Sequence, residues 1–227
     1  MGASARPAPQ ARAAKPASRD AEATRLRILA AAELEFARKG LAGARVDTIA
    51  EESGANKGMI YYYFDNKEEL YIAVLERVYA AMRQSERDLA FEHLPPLEAI
   101  RTLVEFKFDY FAQNPAAIRL LTGENLQDAQ FLKRSERLQD LQHSLVETLD
   151  RILKAGASAG TIRSGVDPLQ LYLSISGLSF FYFANAATLT TSFGRDLAAP
   201  DALAQRRAHV AEVILSYLRP VQPPEAP

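Results

Sequence analysis

The sequence predicts an all-α fold, a small N-terminal three-helix unit followed by a larger helical body, about nine helices in all. Three observations predict it. Apolar residues recur at three- and four-residue spacing in one segment after another, which is the period of an amphipathic helix. No segment alternates convincingly with the two-residue period of a strand. Asn, Asp and Pro stand where these segments begin and Gly where they end, as helix starts and stops require.

Residues 1–19 hold Ala, Pro and Arg without periodicity and are expected to be disordered. Arg6, Arg12, Lys15 and Arg19 give this arm +4 with no acid, on a chain of net charge −1. Such an arm points to an anionic polymer or is a solvated tail, and the tail is the plainer reading. Regular structure is expected from Asp20, a plausible N-cap, through Ile28, Leu29, Ala32 and Phe36 to Gly40, which ends the first helix in the left-handed conformation open to glycine. A second helix follows over about residues 46–52, with Ile49 and Ala50 inward. Gly54 makes the turn, and Asn56 caps the third helix. Asn66 caps a longer fourth helix. Glu69 stands in the position of a capping-box acid, and Leu70, Val74, Val78 and Met82 form the inner stripe.

Pro95 and Pro96 open the fifth helix, where proline costs little, and Leu97, Ile100, Val104, Phe108 and Phe111 form its inner face. Pro115 marks a break before a short sixth helix around residues 116–121. Leu138, Leu141, Leu145, Leu149 and Ile152 mark a long seventh. Asp167 and Pro168 start the eighth. Val210, Val213, Ile214, Tyr217 and Leu218 form the face of a ninth.

At 227 residues and 48% hydrophobic, the chain can bury a sizeable core. The absence of cysteine removes disulfides, thiol nucleophiles and cysteine–zinc sites, and it suits a reducing cytoplasm. The first 20 residues contain no apolar stretch of the signal-peptide kind. Residues 169–189 are apolar, but Gln170, Ser174, Ser176, Ser179, Asn185 and Thr188 suit a buried helix at a protein interface better than a membrane span. His93, His143 and His209 are far apart and show no ligand spacing, so no metal or cofactor is expected. "GASAG" at residues 156–160 fits the G-x-S-x-G string, with Asp196 and His209 following in hydrolase order. That motif needs a strand, a sharp turn and a helix, whereas here it ends an amphipathic helix. An α-helical hydrolase using Ser158 is therefore the less favoured reading, and no catalytic residue is expected.

The stretch "SGANKGMIYYYFDNKEEL", residues 53–70, carries the functional expectation. A short amphipathic helix, a glycine turn and a second short helix make a helix-turn-helix. Tyr61, Tyr62 and Tyr63 point about 100° apart on a helix, so they cannot all face one core. With Lys57 and Lys67 flanking them, DNA contact explains the cluster better than burial.

"TRLRILAAAELEFARKG", "VDTIAEESGANKGMIYYYF" and "NKEEL" together resemble the TetR/AcrR family of bacterial transcriptional regulators over about residues 20–75. The resemblance implies an N-terminal three-helix DNA-binding domain with a helix-turn-helix, followed by a larger helical ligand-binding and dimerisation domain. The expected domains are a disordered basic arm at 1–19, the DNA-binding domain at 20–66, the ligand-binding and dimerisation domain at 67–220 and a disordered tail at 221–227. The partners implied are double-stranded operator DNA, a second copy of the chain and a small-molecule effector. Carried across, Lys57 would contact phosphate or a base edge, and Gly58 and Met59 would lie against the bases. Tyr61 would pack the helix or touch the DNA backbone. Tyr62 and Tyr63 would donate to phosphates, and Lys67 would clamp another. Thr48 belongs to the same DNA-facing set. Arg45 stands where the family commonly has threonine, and it could reach phosphate or guanine. Asn56 replaces a common serine, and both can cap.

The eighth helix, "LYLSISGLSFFYFANAATL", is apolar nearly all round and must be covered on more than one side. Small Ser174 and Gly177 admit a close partner, so the eighth and ninth helices are expected to form the homodimer interface. The effector is expected among the fifth, seventh and eighth helices. Phe106, Tyr110, Phe181 and other aromatics would be apolar walls, and Asn125, His143 and Asn185 polar groups. The leading expectation is a repressor released from its operator by the effector. The alternative is a DNA-binding activator or architectural factor without a ligand.

Overall fold

The computed structural model describes residues 19–220, and the side chains of all of these except Arg19, Glu92 and residues 139–144. The predicted disordered arm and tail lie outside the described residues, apart from the backbone of Arg19. Among the described residues there are ten α-helices and no strand: α1 (Arg19–Gly43), α2 (Val46–Ser53), α3 (Lys57–Phe64), α4 (Lys67–Asp88), α5 (Pro96–Gln113), α6 (Pro115–Leu126), α7 (Glu136–Ser158), α8 (Pro168–Ala184), α9 (Ala186–Phe193) and α10 (Pro200–Leu218). The all-α expectation holds, with one helix more than the sequence predicts.

Local capping chemistry sets several of the boundaries. The Asn56 side chain accepts from the Met59 N–H at 2.9 Å, and the Asn66 side chain accepts from Glu68 and Glu69 N–H at 2.9 and 3.0 Å. Asp167 accepts from the Gln170 N–H at 2.9 Å, ahead of Pro168. Gly40 does end the regular turns of the first helix. Its φ of 65° and ψ of 172° place it outside the left-handed helical well, in a region open almost only to glycine, and one further turn follows to Gly43. The expected capping box at α4 is only half formed. Glu69 pairs with Arg134 instead, and the Asn66 N–H that it would have accepted already donates to the Phe64 carbonyl at 2.6 Å.

The eighth helix of the sequence reading is two helices in the structure. Asn185 (φ −108°, ψ 9°) leaves helical geometry between α8 and α9. Its side-chain amide donates to the Phe181 carbonyl at 3.0 Å, a local bond of the kind that competes with helix continuation. The ninth helix of the sequence reading is α10, which starts ten residues before Val210, at Pro200.

Two cores organise the molecule. One joins α1–α4 to Phe111, Ala117, Ile118, Leu120, Phe131 and Leu138. Tyr71 stands at its centre, edge-on to Phe36 at 5.1 Å and to Phe131 at 5.3 Å. The other packs α5, α7, α8 and α10 through residues such as Val104, Leu149, Ile175 and Ile214. Phe183 on α8 touches both. The helix-turn-helix is therefore seated on a framework whose core reaches into α6.

Candidate nucleic-acid interface

The amphipathic pattern of α3 decides which of its side chains reach solvent. Ile60 and Phe64, one turn apart, are buried in the core, and Arg25 lies over the Phe64 ring at 5.3 Å. The opposite face carries Lys57, Gly58, Tyr61 and Tyr62, all exposed. Tyr62 is 82% exposed and Tyr61 45% exposed. Tyr63 is half-buried against the core, with its ring edge-on to Tyr62 at 5.3 Å. Met59 is half-buried as well. A phenol as open as Tyr62 contributes nothing to the core, so its position at the centre of α3 is free for a partner.

α1 grips α2 at both ends. The buried Glu35 carboxylate accepts from the Arg45 N–H at 3.2 Å at the start of α2. Arg27 donates to the Ser53 carbonyl at 3.3 Å at its end. Arg45 itself offers no side-chain cap. An acid at the N-terminus and a base at the C-terminus both favour the helix dipole. At the turn, Gly54 takes the left-handed conformation (φ 66°, ψ 21°), and Ala55 N–H returns to the Ala50 carbonyl at 3.1 Å.

The charges on this face are partly matched within the chain. Asp47 on α2 pairs with Lys57 on α3 and lies 3.8 Å from Arg45. Its hydrogen bond to the Lys57 ammonium holds the Asp47 carboxyl below its ordinary pKa. Thr48 is half-buried beside them. Lys67 differs from expectation. Its ammonium donates to the carbonyls of Ala44 at 3.0 Å and Ala42 at 3.4 Å, so it first ties α4 to the end of α1. A lysine has three donors, which leaves one for another acceptor.

Of the six residues expected to line an effector site, the five with described side chains do not converge. Phe106 and Tyr110 are in ring contact at 5.9 Å, and the Tyr110 hydroxyl faces the Val78 carbonyl at 3.5 Å. Asn125 is exposed and Phe181 is 56% exposed. Asn185 spends its amide on the Phe181 carbonyl. The His143 side chain lies outside the described residues. A cavity of about 520 Å³ does open where α5, α6, α8 and α9 meet, walled by Phe111, Ile118, Thr122, Leu126, Phe183 and Ala187, none of them among the six residues named. Sequence reading also missed a buried charge cluster of Arg83 and Glu86 on α4 with Lys107 on α5. Its signal was present: Glu86 extends the Val78–Met82 stripe by one turn, and Lys107 falls on the Ile100–Val104–Phe111 face.

Ser158 is the exposed last residue of α7, with a helix rather than a strand before it. The glycine before it serves packing. A Cβ on Gly156 would meet the Ile162 side chain at 2.6 Å, and the Gly156 carbonyl accepts from Thr161 and Ile162 N–H at 2.9 and 3.1 Å. The string is a helix terminus, and the geometry of a nucleophile elbow is absent. No described helix is long and apolar enough to cross a membrane.

Comparison with known proteins agrees with this geometry. Residues 28–74 match the family described as bacterial regulatory proteins, tetR family, and residues 96–214 match the tetracyclin repressor-like C-terminal domain. The chain is 35% identical over 202 residues to the HTH-type transcriptional repressor NicS of Pseudomonas putida, covering 89% of this chain and 95% of that protein. It is 30% identical over 211 residues to the HTH-type transcriptional regulator RutR of Escherichia coli, covering 89% and 94%. Among solved structures, a transcriptional regulator of Streptomyces coelicolor, SCO4942, superposes with a TM-score of 0.66 at 29% identity over 86% of this chain and 98% of that one. FadR of Bacillus subtilis, in complex with stearoyl-CoA, has a TM-score of 0.66 at 21% identity over 86% and 99%, a likeness of fold alone. With its helix-turn-helix held on α1 and its all-helical body, this chain belongs to the TetR family of bacterial transcriptional regulators.

Proposed function

We propose that the chain is a dimeric, cytoplasmic repressor that grips operator DNA with α2 and α3 and is released by a small organic effector bound in its body. The observation that carries the reading is the solvent face of α3, where Lys57, Tyr61 and the open phenol of Tyr62 project from a helix capped and buried on its other side. Phenol and ammonium donors suit phosphate oxygens, which position the protein on the duplex. Gly58 has no side chain to hold the α3 backbone away from base edges. Arg45, Thr48 and Met59 border the same face, Tyr63 backs it, and Lys67 keeps one donor for phosphate. The repressing sign is supported by the relative named as a repressor.

Dimerisation is supported by the outward face of α8 and α10. Leu169, Leu173 and Phe181 are exposed on α8, and Val213 and Tyr217 on α10. Ser174 and Gly177 lie among them, both exposed, with nothing within 4 Å of a Cβ at Gly177. Apolar side chains in register on neighbouring helices call for a cover, and a second copy supplies the same stripe. A two-fold dimer must hold its recognition helices about 34–36 Å apart to enter successive major grooves. An effector acts by favouring a different separation, within the limit of its differential affinity for the two arrangements. α4 connects the two functions, since it begins beside α3 and carries Arg83 and Glu86 into the body.

The test is fluorescence anisotropy with duplex from the region flanking the protein's own gene, in a salt series, with and without cell metabolites. Specific binding that weakens steeply with salt and is reversed by a metabolite is expected. A protein that binds duplex but ignores every metabolite would be a regulator without a ligand. One that ignores duplex at low salt would remove the reading.

A further inference from the structure

One cluster in the body of the protein buries two cations against a single carboxylate. Arg83, Glu86 and Lys107 are each only 2% exposed. One carboxylate serves two cations: Arg83 Nη1 lies 2.5 Å from Glu86 Oε2, and Lys107 Nζ lies 3.2 Å from Glu86 Oε1. Lys107 also faces the Met82 sulfur at 3.7 Å and the rings of Tyr172 and Phe111 at 5.3 and 5.7 Å. Those groups favour a cation but bring no countercharge. Among the described residues, the Arg83 nitrogens are all buried; Nη1 has only its ion pair with Glu86, and Nε and Nη2 make no hydrogen bond.

This arrangement is costly as it stands. A buried polar group without a partner costs on the order of 1–3 kcal/mol, and arginine cannot shed its proton to escape. Burial, and then the charge of Arg83, push the Lys107 pKa down. The cluster therefore holds either a whole surplus charge or a lysine driven toward neutrality, and one further anion relieves both.

A cavity of about 270 Å³ opens on Arg83 and Glu86. Phe91 and Leu145 give it apolar walls. Arg87, Arg151 and Glu147, all exposed, complete the charged lining among the described residues. Lys107 does not line it but competes for the same Glu86 carboxylate.

We propose that this cavity binds a small organic monocarboxylate, its carboxylate forked onto the Arg83 guanidinium and its apolar portion against Phe91 and Leu145. The single surplus charge of the buried Arg83–Glu86–Lys107 cluster suits a monoanion, since a dianion would over-neutralise it. The planar guanidinium matches a carboxylate in bidentate geometry. The volume lies just under the range of about 300–1,000 Å³ that holds drug-sized ligands, which favours a small acid. Lys67 and Arg83 are separated by about 24 Å along α4 at the helical rise, so a ligand at Arg83 acts on the helix that carries the DNA-binding end. The inference deepens the effector half of the proposed function and rests on that reading for its link to DNA, though the carboxylate site itself does not depend on it.

The full-length protein is titrated with benzoate, phenylacetate and hexanoate, each beside its uncharged amide, by calorimetry and thermal unfolding. The acids are expected to bind one per chain and raise Tm saturably, while the amides do neither. Arg83→Met should lower affinity for the best acid by about tenfold or more. It should leave the ligand-free Tm unchanged or higher, because it removes the surplus charge. A merely structural Arg83 would instead lower that Tm. Acids and amides that act alike on the wild-type protein, acids that all fail to bind, or an Arg83→Met protein that still binds them would overturn the proposal. The wild-type comparison needs no variant, so a misfolded mutant does not rescue the idea. Operator binding is measured in parallel. Its absence would sink the regulator reading while leaving the carboxylate result to be scored alone.

Discussion

The Glu35 carboxylate on α1 accepts a hydrogen bond from the Arg45 N–H, 3.2 Å away, and so caps a helix to which it does not belong. The same carboxylate holds Arg38 at 3.0 Å. Glu35→Ala leaves that N–H without its partner and Arg38 with Glu52 alone. It should cost about 1–2 kcal/mol, the usual worth of an N-cap, read as a fall in Tm. Operator affinity should drop for all sequences alike. Glu35→Gln keeps an acceptor and should cost less.

DNA contacts on α3 can be separated from stability because Tyr62 is so open. Tyr62→Phe should weaken operator binding about tenfold, the loss of one hydrogen bond to a charged oxygen, with no change in Tm. Lys57→Ala should reduce the slope of log affinity against log salt by about one phosphate's share. Lys67→Ala should lower both binding and Tm, since its ammonium also holds the Ala42 and Ala44 carbonyls. Unchanged anisotropy titrations for Tyr62→Phe and Lys57→Ala together would move the contact surface off α3.

Gly156→Ala forces a Cβ against three atoms of Ile162, at 2.6, 2.7 and 3.0 Å. Relief requires moving the turn after α7. A loss of about 1–3 kcal/mol is expected, as for overpacked cores, measured by chemical denaturation. Ser158→Ala, two residues on and exposed, should be silent in the same assay.

The dimer surface is tested by charge. Leu173→Glu and Phe181→Glu place carboxylates in the exposed stripe of α8, so each should shift the molecule toward monomer in analytical ultracentrifugation. Operator affinity should fall with dimer population, because two half-sites then bind independently. Monomer Tm should be little affected, as neither side chain is buried in the chain itself.

Alkaline pH should destabilise the fold through buried phenols. Burial, followed by the nearby Glu33 and Glu86 charges, pushes the Tyr110 pKa up to about 12. Burial, with Glu124 next, raises that of Tyr71 as well. A raised acid is neutral in the fold while its unfolded counterpart ionises near pH 10. The unfolded state then binds fewer protons, and stability falls as pH rises. The contribution is fully present below pH 10 and is lost between there and the folded values. Tyr110→Phe should make the decline in Tm above pH 10 shallower, which unfolding scans across that range would show.

Legibility in the sequence followed range. The inner stripes of α1, α4 and α5 were readable because a helical face depends only on the 3.6-residue period, and Ile28, Val74 and Val104 are all fully buried. The break at Asn185 was not readable, because apolar residues continue on both sides of it and the deciding event is one amide turning onto the Phe181 carbonyl. The effector residues were chosen for type alone. Whether Asn125 or Phe181 faces a cavity depends on which helix lies beside it, and no neighbour covers either one.

By itself the sequence determined what lies within one helical turn. Asn56 caps Met59, Asn66 caps Glu68 and Glu69, and Asp167 caps Gln170, because three residues of chain bring donor and acceptor together whatever the rest does. The packed helices alone decided the partners of the long charged side chains. Lys67 went to Ala44, Glu69 to Arg134 and Lys107 to Glu86, across 23, 65 and 21 residues. A flexible four- or five-atom side chain reaches many candidates, and only the crossing of two helices leaves one within bonding distance.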